Sequence, residues 1–234
     1  MRIAVVCTTY RRPDYTARLA DALKDCPYDV FVSQDWHEKE GPAVKAALPP
    51  TWINAPRLGI DENKIFAINQ VASVYDGVIF LEDDTIPYGD WATWFATQLH
   101  LRADNPDFLA ACGYAREEAS SAEEYCNLYA DRLWETRHAR FNPWGWAMLS
   151  SRWQALYANN AHQYRLDVGH EVNGRFDWWL FNKEDMFCVH PVVARVQSIG
   201  WDRAEHTPSR EFHENNEYNK WGVWTLAGIT PTYG

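Results

Sequence analysis

The chain has 234 residues and carries 32 Asp or Glu against 22 Lys or Arg, a formal net charge of -10. A protein that tracks phosphate backbones carries the opposite balance, so nucleic acid and anionic membrane surfaces are disfavoured partners. With 47% apolar and 23% charged residues, long disorder is excluded and one large core can be buried. The length fits a single domain over residues 1–234 made of two fused halves, 1–113 and 114–234. The five cysteines, Cys7, Cys26, Cys112, Cys126 and Cys188, are odd in number and include no C-x-x-C pair. That argues against a zinc site and a secreted disulfide framework, and for buried free thiols in a reducing compartment. The first residues hold no signal-peptide core, and no run approaches the roughly 20 apolar residues of a membrane span. A soluble, cytoplasmic protein is expected, or one whose anchor lies outside this sequence.

Along the first half, strand and helix signals alternate. IAVVC, ending at Cys7, is short, β-branched and apolar throughout, the pattern of a buried strand. Pro13 can open a helix that places Tyr15, Leu19, Ala22 and Leu23 on one face. Val30 to Ser33 and Trp52 to Asn54 read as strands. Asp61 is placed as the cap of a helix carrying Ile65, Ile68, Ala72 and Tyr75. Val78 to Leu81 is another buried strand, ending abruptly at Glu82-Asp83-Asp84. Asp90 to Arg102 reads as helix and Phe108 to Cys112 as strand. In the second half, Ala115 to Glu124 and Asn159 to Gly174 read as loops. Asn142 to Trp146 reads as a rigid turn into Ala147-Met148-Leu149, and Ser151 to Ala158 as a helix. Asp177 to Phe181 is a short aromatic segment. Val189 to Ser198 is a strand interrupted by Pro191, and from Ile199 a mobile tail is expected. The β-α-β-α order implies an α/β fold: a Rossmann-like, mixed but mostly parallel sheet with helices on both faces.

In such sheets ligands bind beyond the carboxyl ends of the strands. Three polar clusters fall there: Thr8-Thr9-Tyr10-Arg11, Gln34-Asp35 and Glu82-Asp83-Asp84. Three successive carboxylates repel one another, and a hard divalent cation with oxygen ligands relieves that repulsion. The competing reading is a solvated acidic turn. Arg11 can bind phosphate or a base edge, whereas Arg12 reads as a surface arginine. Asp35 can accept hydrogen bonds from a nucleobase or ribose, or cap a helix. The 13 Trp gather in the second half, where any one of them is more readily explained by core packing than by stacking on a sugar.

The runs VVCTTYRRPDYTARLADAL, FVSQDWHEKE and NKIFAINQVASVYDGVIFLEDDTIPYGDWATWF resemble GT-A nucleotide-sugar glycosyltransferases. Within that group they are similar to the α-mannoside β-1,2-N-acetylglucosaminyltransferase family. The likeness continues, in order, through the Gly145-Trp146 turn, Phe176-Asp177-Trp178 and HPVVARVQSIG. It implies an inverting transfer from a nucleotide-sugar donor, with UDP favoured, to the hydroxyl of a glycan or glycoconjugate. It makes residues 1–113 the donor half and 114–234 the acceptor half. It assigns Thr8, Thr9, Tyr10, Arg11, Asp35, Glu82, Asp83 and Trp146 to the donor, Asp84 to a Mn2+ or Mg2+ ion, and Asp177 to the catalytic base. Asp185, Glu184 and Glu171 stand behind Asp177. Lys64 falls where the family carries basic residues; a nucleotide contact competes there with a solvated helix face. His206, in the loop Gly200 to His206 that resembles one closing over the diphosphate, becomes a second metal or phosphate ligand, or else an exposed histidine.

Three other readings compete. A sugar-nucleotide nucleotidyltransferase shares the sheet and the acidic site, but it needs a Gly-rich phosphate loop where this chain reads Cys7-Thr8-Thr9-Tyr10. A carbohydrate-binding module explains the Trp content but not the alternating half. A DNA-modifying glycosyltransferase runs against the net charge.

Overall fold

The computed structural model describes residues 1–114, 136–138, 141–158, 176, 179, 180, 183, 185–191 and 194–200. The elements in chain order are β1 (Ile3–Thr9), α1 (Pro13–Ala22), β2 (Asp29–Asp35), α2 (Gly41–Ala47), β3 (Trp52–Asn54), α3 (Ile60–Ala72), β4 (Gly77–Glu82), β5 (Thr85–Pro87), α4 (Trp91–Leu101), β6 (Phe108–Cys112), β7 (Thr136–His138) and β8 (Trp146–Leu149). Then follow a one-turn α5 (Ser150–Trp153) that runs into a π turn (Gln154–Ala158), β9 (Phe187–His190) and β10 (Val196–Ser198).

β1 shows why the sheet has two dry faces. Ile3, Val5 and Cys7 enter one core cluster and Ala4 and Val6 the other, the period of two that a strand imposes. β4 divides the same way, with Ile79 and Leu81 on one side and Val78 and Phe80 on the other. α1 and α4 cover the first face through Leu19, Trp94, Phe95 and Leu99. α3 covers the second through Ile65, Ile68 and Val71, joined by Trp153 and Phe176. The main sheet runs β3-β2-β1-β4-β8-β6-β9-β7. β3, β2, β1 and β4 are mutually parallel, β8 is antiparallel to both β4 and β6, and β9 returns parallel to β6. The expected mixed, mostly parallel α/β sheet with helices on both faces is therefore present. No helix among the described residues is long and apolar enough to cross a membrane. Cys7, Cys112 and Cys188 are buried free thiols and Cys26 is half-buried; Cys126 lies outside the described residues.

Several boundaries differ from those read in the sequence. β2 extends to Asp35, so Asp35 belongs to the strand's last position. Asp61 does not cap α3. Gly59, with φ of 93°, occupies the cap, and Asp61 and Glu62 sit in the first turn, where carboxylates suit the helix dipole. The expected strand from Val189 to Ser198 is two strands. After Pro191 the chain leaves the main sheet, and β10 pairs antiparallel with β5 in a separate ribbon. Pro191 cannot donate to a ladder, which makes the break physical.

Gly145 fixes the entry to β8. Its φ is 64°, and a Cβ there would stand 2.8 Å from Val196 Cγ1 and 3.1 Å from Thr85 Cγ2. Gly145→Ala therefore meets a left-handed backbone and a crowded ribbon together. Chemical denaturation should show a loss of about 2–3 kcal/mol; an unchanged midpoint would mean that the turn relaxes freely.

Candidate active site

The parallel ladders set the geometry of the sheet's carboxyl edge. Thr8 of β1 lies level with Ser33 of β2 and with Glu82 of β4, and Thr9 lies level with Gln34. The three polar clusters separated in sequence thus emerge side by side, as the strand order requires.

At the centre is the triplet Glu82-Asp83-Asp84. Asp83 is 2% exposed. It accepts a hydrogen bond from the Tyr10 backbone N–H at 3.0 Å and an ion pair from Arg12 Nη2. Arg12 Nη1 reaches Asp84 Oδ2 at 2.7 Å, so one guanidinium bridges two successive carboxylates. Burial pushes the Asp83 carboxyl up to about 6, with Arg12 pulling in the other direction. On Arg12 burial works to lower the pKa, and the charges of Asp83 and Asp84 more than offset it, so the guanidinium is held firmly charged. Glu82 turns to the other side and pairs with Lys64 Nζ at 3.4 Å. Lys64 is fully buried, with its ammonium 5.2 Å from the centre of the Phe80 ring. Arg12 is thus no surface arginine, and Lys64 is no solvated helix residue.

Asp84 is also clamped from behind. Ile199 N–H donates to its carbonyl at 2.8 Å. A Cβ on Gly200 would stand 2.1 Å from Asp84 Oδ2, so a side chain there would displace the Asp84 carboxylate. The β5–β10 ribbon creates this approach, because β5 follows the triplet directly and β10 pairs with it.

On the other flank, Asp35 is 3% exposed and spends its oxygens on the chain leading into α3. Oδ2 accepts from Gly59 N–H at 2.8 Å, and Oδ1 accepts from Leu58 N–H and Asn54 Nδ2, each at 3.2 Å. Of its two sequence readings, anchoring of a helix start describes this arrangement. The anchored loop carries Arg57, whose guanidinium lies 4.1 Å from the Tyr10 ring centre and donates to Tyr10 Oη at 3.2 Å. His37 meets the same ring edge-on at 5.7 Å. Arg11 is exposed in a left-handed turn, φ 58°, 5.6 Å from the Tyr10 ring centre.

Not every candidate comes to this edge with a free side chain. Trp146 is fully buried, against Phe80 at 5.3 Å and Phe141 at 5.4 Å, and belongs to the core rather than to a donor surface. Its place in β8, flanked by β4 and β6, explains that. Thr9 is buried at the end of β1, whereas Thr8 is half-buried. Asp177, His206, Glu171 and Glu184 lie outside the described residues, as does most of the stretch read as a mobile tail. Arg12 and Arg57 are the site residues that sequence reasoning missed, whereas Gly200 opens the loop that the resemblance places over the diphosphate. Arg12 had a signal. A cation just before a helix start opposes the helix dipole and needs an anion nearby, and the triplet is that anion.

The triplet offers oxygen ligands alone, which suits a hard divalent cation. Among the described residues no group of three or more His, Cys, Asp or Glu is arranged to enclose a metal. Asp84 keeps Oδ1 without a partner among the described residues, on a side chain 13% exposed. That fits the binding mode in which one or two carboxylates share a small cation with substrate phosphates and water.

No family model matches the chain, and no curated protein matches it. Among solved structures, the glucosyl-3-phosphoglycerate synthase from Mycobacterium tuberculosis in complex with Mg2+ and UDP matches at 14% identity and a TM-score of 0.42, over 64% of this chain and 57% of that one. The chain thus aligns with little more than half of that protein's length. A CMP:2-keto-3-deoxy-manno-octonic acid synthetase complexed with CTP matches at 13% identity and a TM-score of 0.45, over 81% of this chain and 89% of that one. A mannose-1-phosphate geranyltransferase from Thermus thermophilus matches at 14% identity and a TM-score of 0.43, covering 82% of this chain and 74% of that one.

Proposed function

We propose that the chain is a nucleotide-sugar glycosyltransferase of the GT-A kind, with its donor bound across the carboxyl edge of β2, β1 and β4. The observation that carries this reading is the acidic triplet at the end of a buried parallel strand, with Asp84 Oδ1 open beside it. The ordered resemblance of the three sequence runs to that group points the same way, and within it the α-mannoside β-1,2-N-acetylglucosaminyltransferase likeness is the finer assignment.

In this reading the nucleobase packs against the wall made by Tyr10, Arg57 and His37, which Asp35 holds in place from below. Arg11, exposed beside that wall, meets the nucleotide's polar groups. Glu82 and Asp83 face the ribose and sugar. Asp84 would hold a Mn2+ or Mg2+ ion, which when bound would neutralise charge on the departing nucleoside diphosphate. The acceptor oxygen attacks the anomeric carbon as the bond to the diphosphate oxygen breaks, and the bonding pair leaves with the diphosphate. Asp177 takes the acceptor's proton, and the configuration inverts.

The test is a thermal-shift screen of nucleoside diphosphates, sugar nucleotides and nucleoside triphosphates, each with and without Mn2+. Stabilisation grows with ligand concentration over affinity, so a UDP-sugar with Mn2+ should give the largest shift. A response confined to triphosphates would instead favour a nucleotidyltransferase. Asp177→Asn should retain donor binding by calorimetry and lose transfer by about 100-fold or more. Transfer at the parent rate would move the base to Asp185, Glu184 or Glu171.

A further inference from the structure

We propose that Arg12 is a built-in counter-cation of the triplet that competes with the divalent metal for Asp84 and leaves only when a nucleoside diphosphate gives it another partner. The inference rests on the donor-site reading above and adds an order of events to it.

Three facts carry it. First, Arg12 covers both carboxylates at once, Nη2 on Asp83 and Nη1 on Asp84 Oδ2 at 2.7 Å. A guanidinium fork that spans two carboxylates already provides the positive charge a divalent ion would bring. Second, two cations already stand at the triplet. Among the described residues Arg12 pairs with Asp83 and Asp84 and Lys64 with Glu82, so a metal arriving alone would add its charge beside them. Third, the two ends of the fork are held unequally. The Asp83 side chain is 3% exposed and Asp84's is 13% exposed, while Arg12 itself is 20% exposed and can turn outward. Asp84 is held at its backbone by the Ile199 N–H, and Gly200 packs close to its Oδ2.

A nucleoside diphosphate changes the balance. Its phosphate oxygens match the guanidinium fork as well as carboxylates do. The exchange keeps every charge paired: Arg12 passes to phosphate, and the positive charge it withdraws from Asp84 is the charge a divalent cation on Oδ1 would restore. Free metal is therefore bound poorly, and metal and nucleotide bind together.

The test is Mn2+ binding by electron paramagnetic resonance to the full chain, with and without UDP and corrected for Mn2+–UDP association in solution. In the parent, UDP should tighten Mn2+ binding on the order of tenfold or more, within the usual range of coupling between sites. Arg12→Gln should bind Mn2+ alone about tenfold more tightly than the parent and lose most of that coupling. Arg12→Lys, a point charge that cannot span both carboxylates, should fall between them. Unchanged or weaker Mn2+ affinity in a folded Arg12→Gln overturns the inference and leaves the donor-site reading standing. Mn2+ binding absent in every arm, with UDP or without, removes the metal site and the inference together. If Arg12→Gln does not fold, the parent decides: equal Mn2+ affinity with and without UDP refutes the competition, and strong coupling reduced in Arg12→Lys upholds it.

Discussion

Asp84→Ala lowers metal-dependent sugar-nucleotide turnover by at least about 100-fold, the order seen when one preorganised electrostatic contact to a developing charge is lost. The fold survives the change, because the interactions that Asp84 makes through its backbone remain. Its carbonyl still accepts from Ile199 N–H, and Arg12 still pairs with Asp83. The Asp84 side chain contributes one arm of a partly exposed ion pair, so unfolding by circular dichroism should shift by no more than about 1–2 kcal/mol. Donor turnover in the presence of Mn2+ and thermal unfolding, measured on the same preparation, separate the two effects. Turnover within a few-fold of the parent would move the metal to a neighbouring carboxylate and sink the assignment.

The second large effect is an asymmetry of stability across the Glu82–Lys64 pair. Lys64 is fully enclosed, whereas the Glu82 side chain is 24% exposed. Glu82→Ala takes a carboxylate from a buried ammonium, and weakening a buried pair from that side should cost up to about 3–5 kcal/mol, less by whatever Lys64's further contacts retain. Lys64→Met keeps the volume, removes the buried charge and leaves a carboxylate that water can reach. That variant should lie within about 1 kcal/mol of the parent. Urea unfolding of the two reads the difference. Equal losses would show that Glu82 is as dependent on the pair as Lys64, contrary to their exposures.

The parts of this fold that are legible in the sequence are those where one physical demand dominates. β1, β4 and β6 are covered on both faces, so they read as unbroken apolar runs, and the position of the triplet follows from the end of β4. α1 announces itself through Pro13 at its first turn. The illegible parts answer to distant partners. β5 and β10 are three residues each, too short for any periodicity, and exist because they pair with one another. Arg12 and Arg11 are the same residue type side by side, and composition does not tell which faces the triplet; Arg11 lies in a left-handed turn and Arg12 makes the ion pairs. Trp146 sits in a turn that resembles a donor-binding segment, yet its register in β8 places it between two sheet neighbours. Asp35 reads equally as ligand or cap, and its three backbone and side-chain donors lie on residues 54–59, a span whose path composition does not fix.

The β5–β10 ribbon also bears on when the site comes into being. The triplet and Arg12 belong to the first 84 residues, which leave the ribosome early and can pair within their own sheet. The backing of Asp84 by Ile199 and Gly200 arrives only with a much later part of the chain. Synthesis proceeds from the amino end at about 5–20 residues per second, so the carboxylates wait several seconds for their clamp. A nascent chain stopped before Val196 should therefore hold the nucleotide-side strands and the arginine bridge, but not the backbone contact that fixes Asp84.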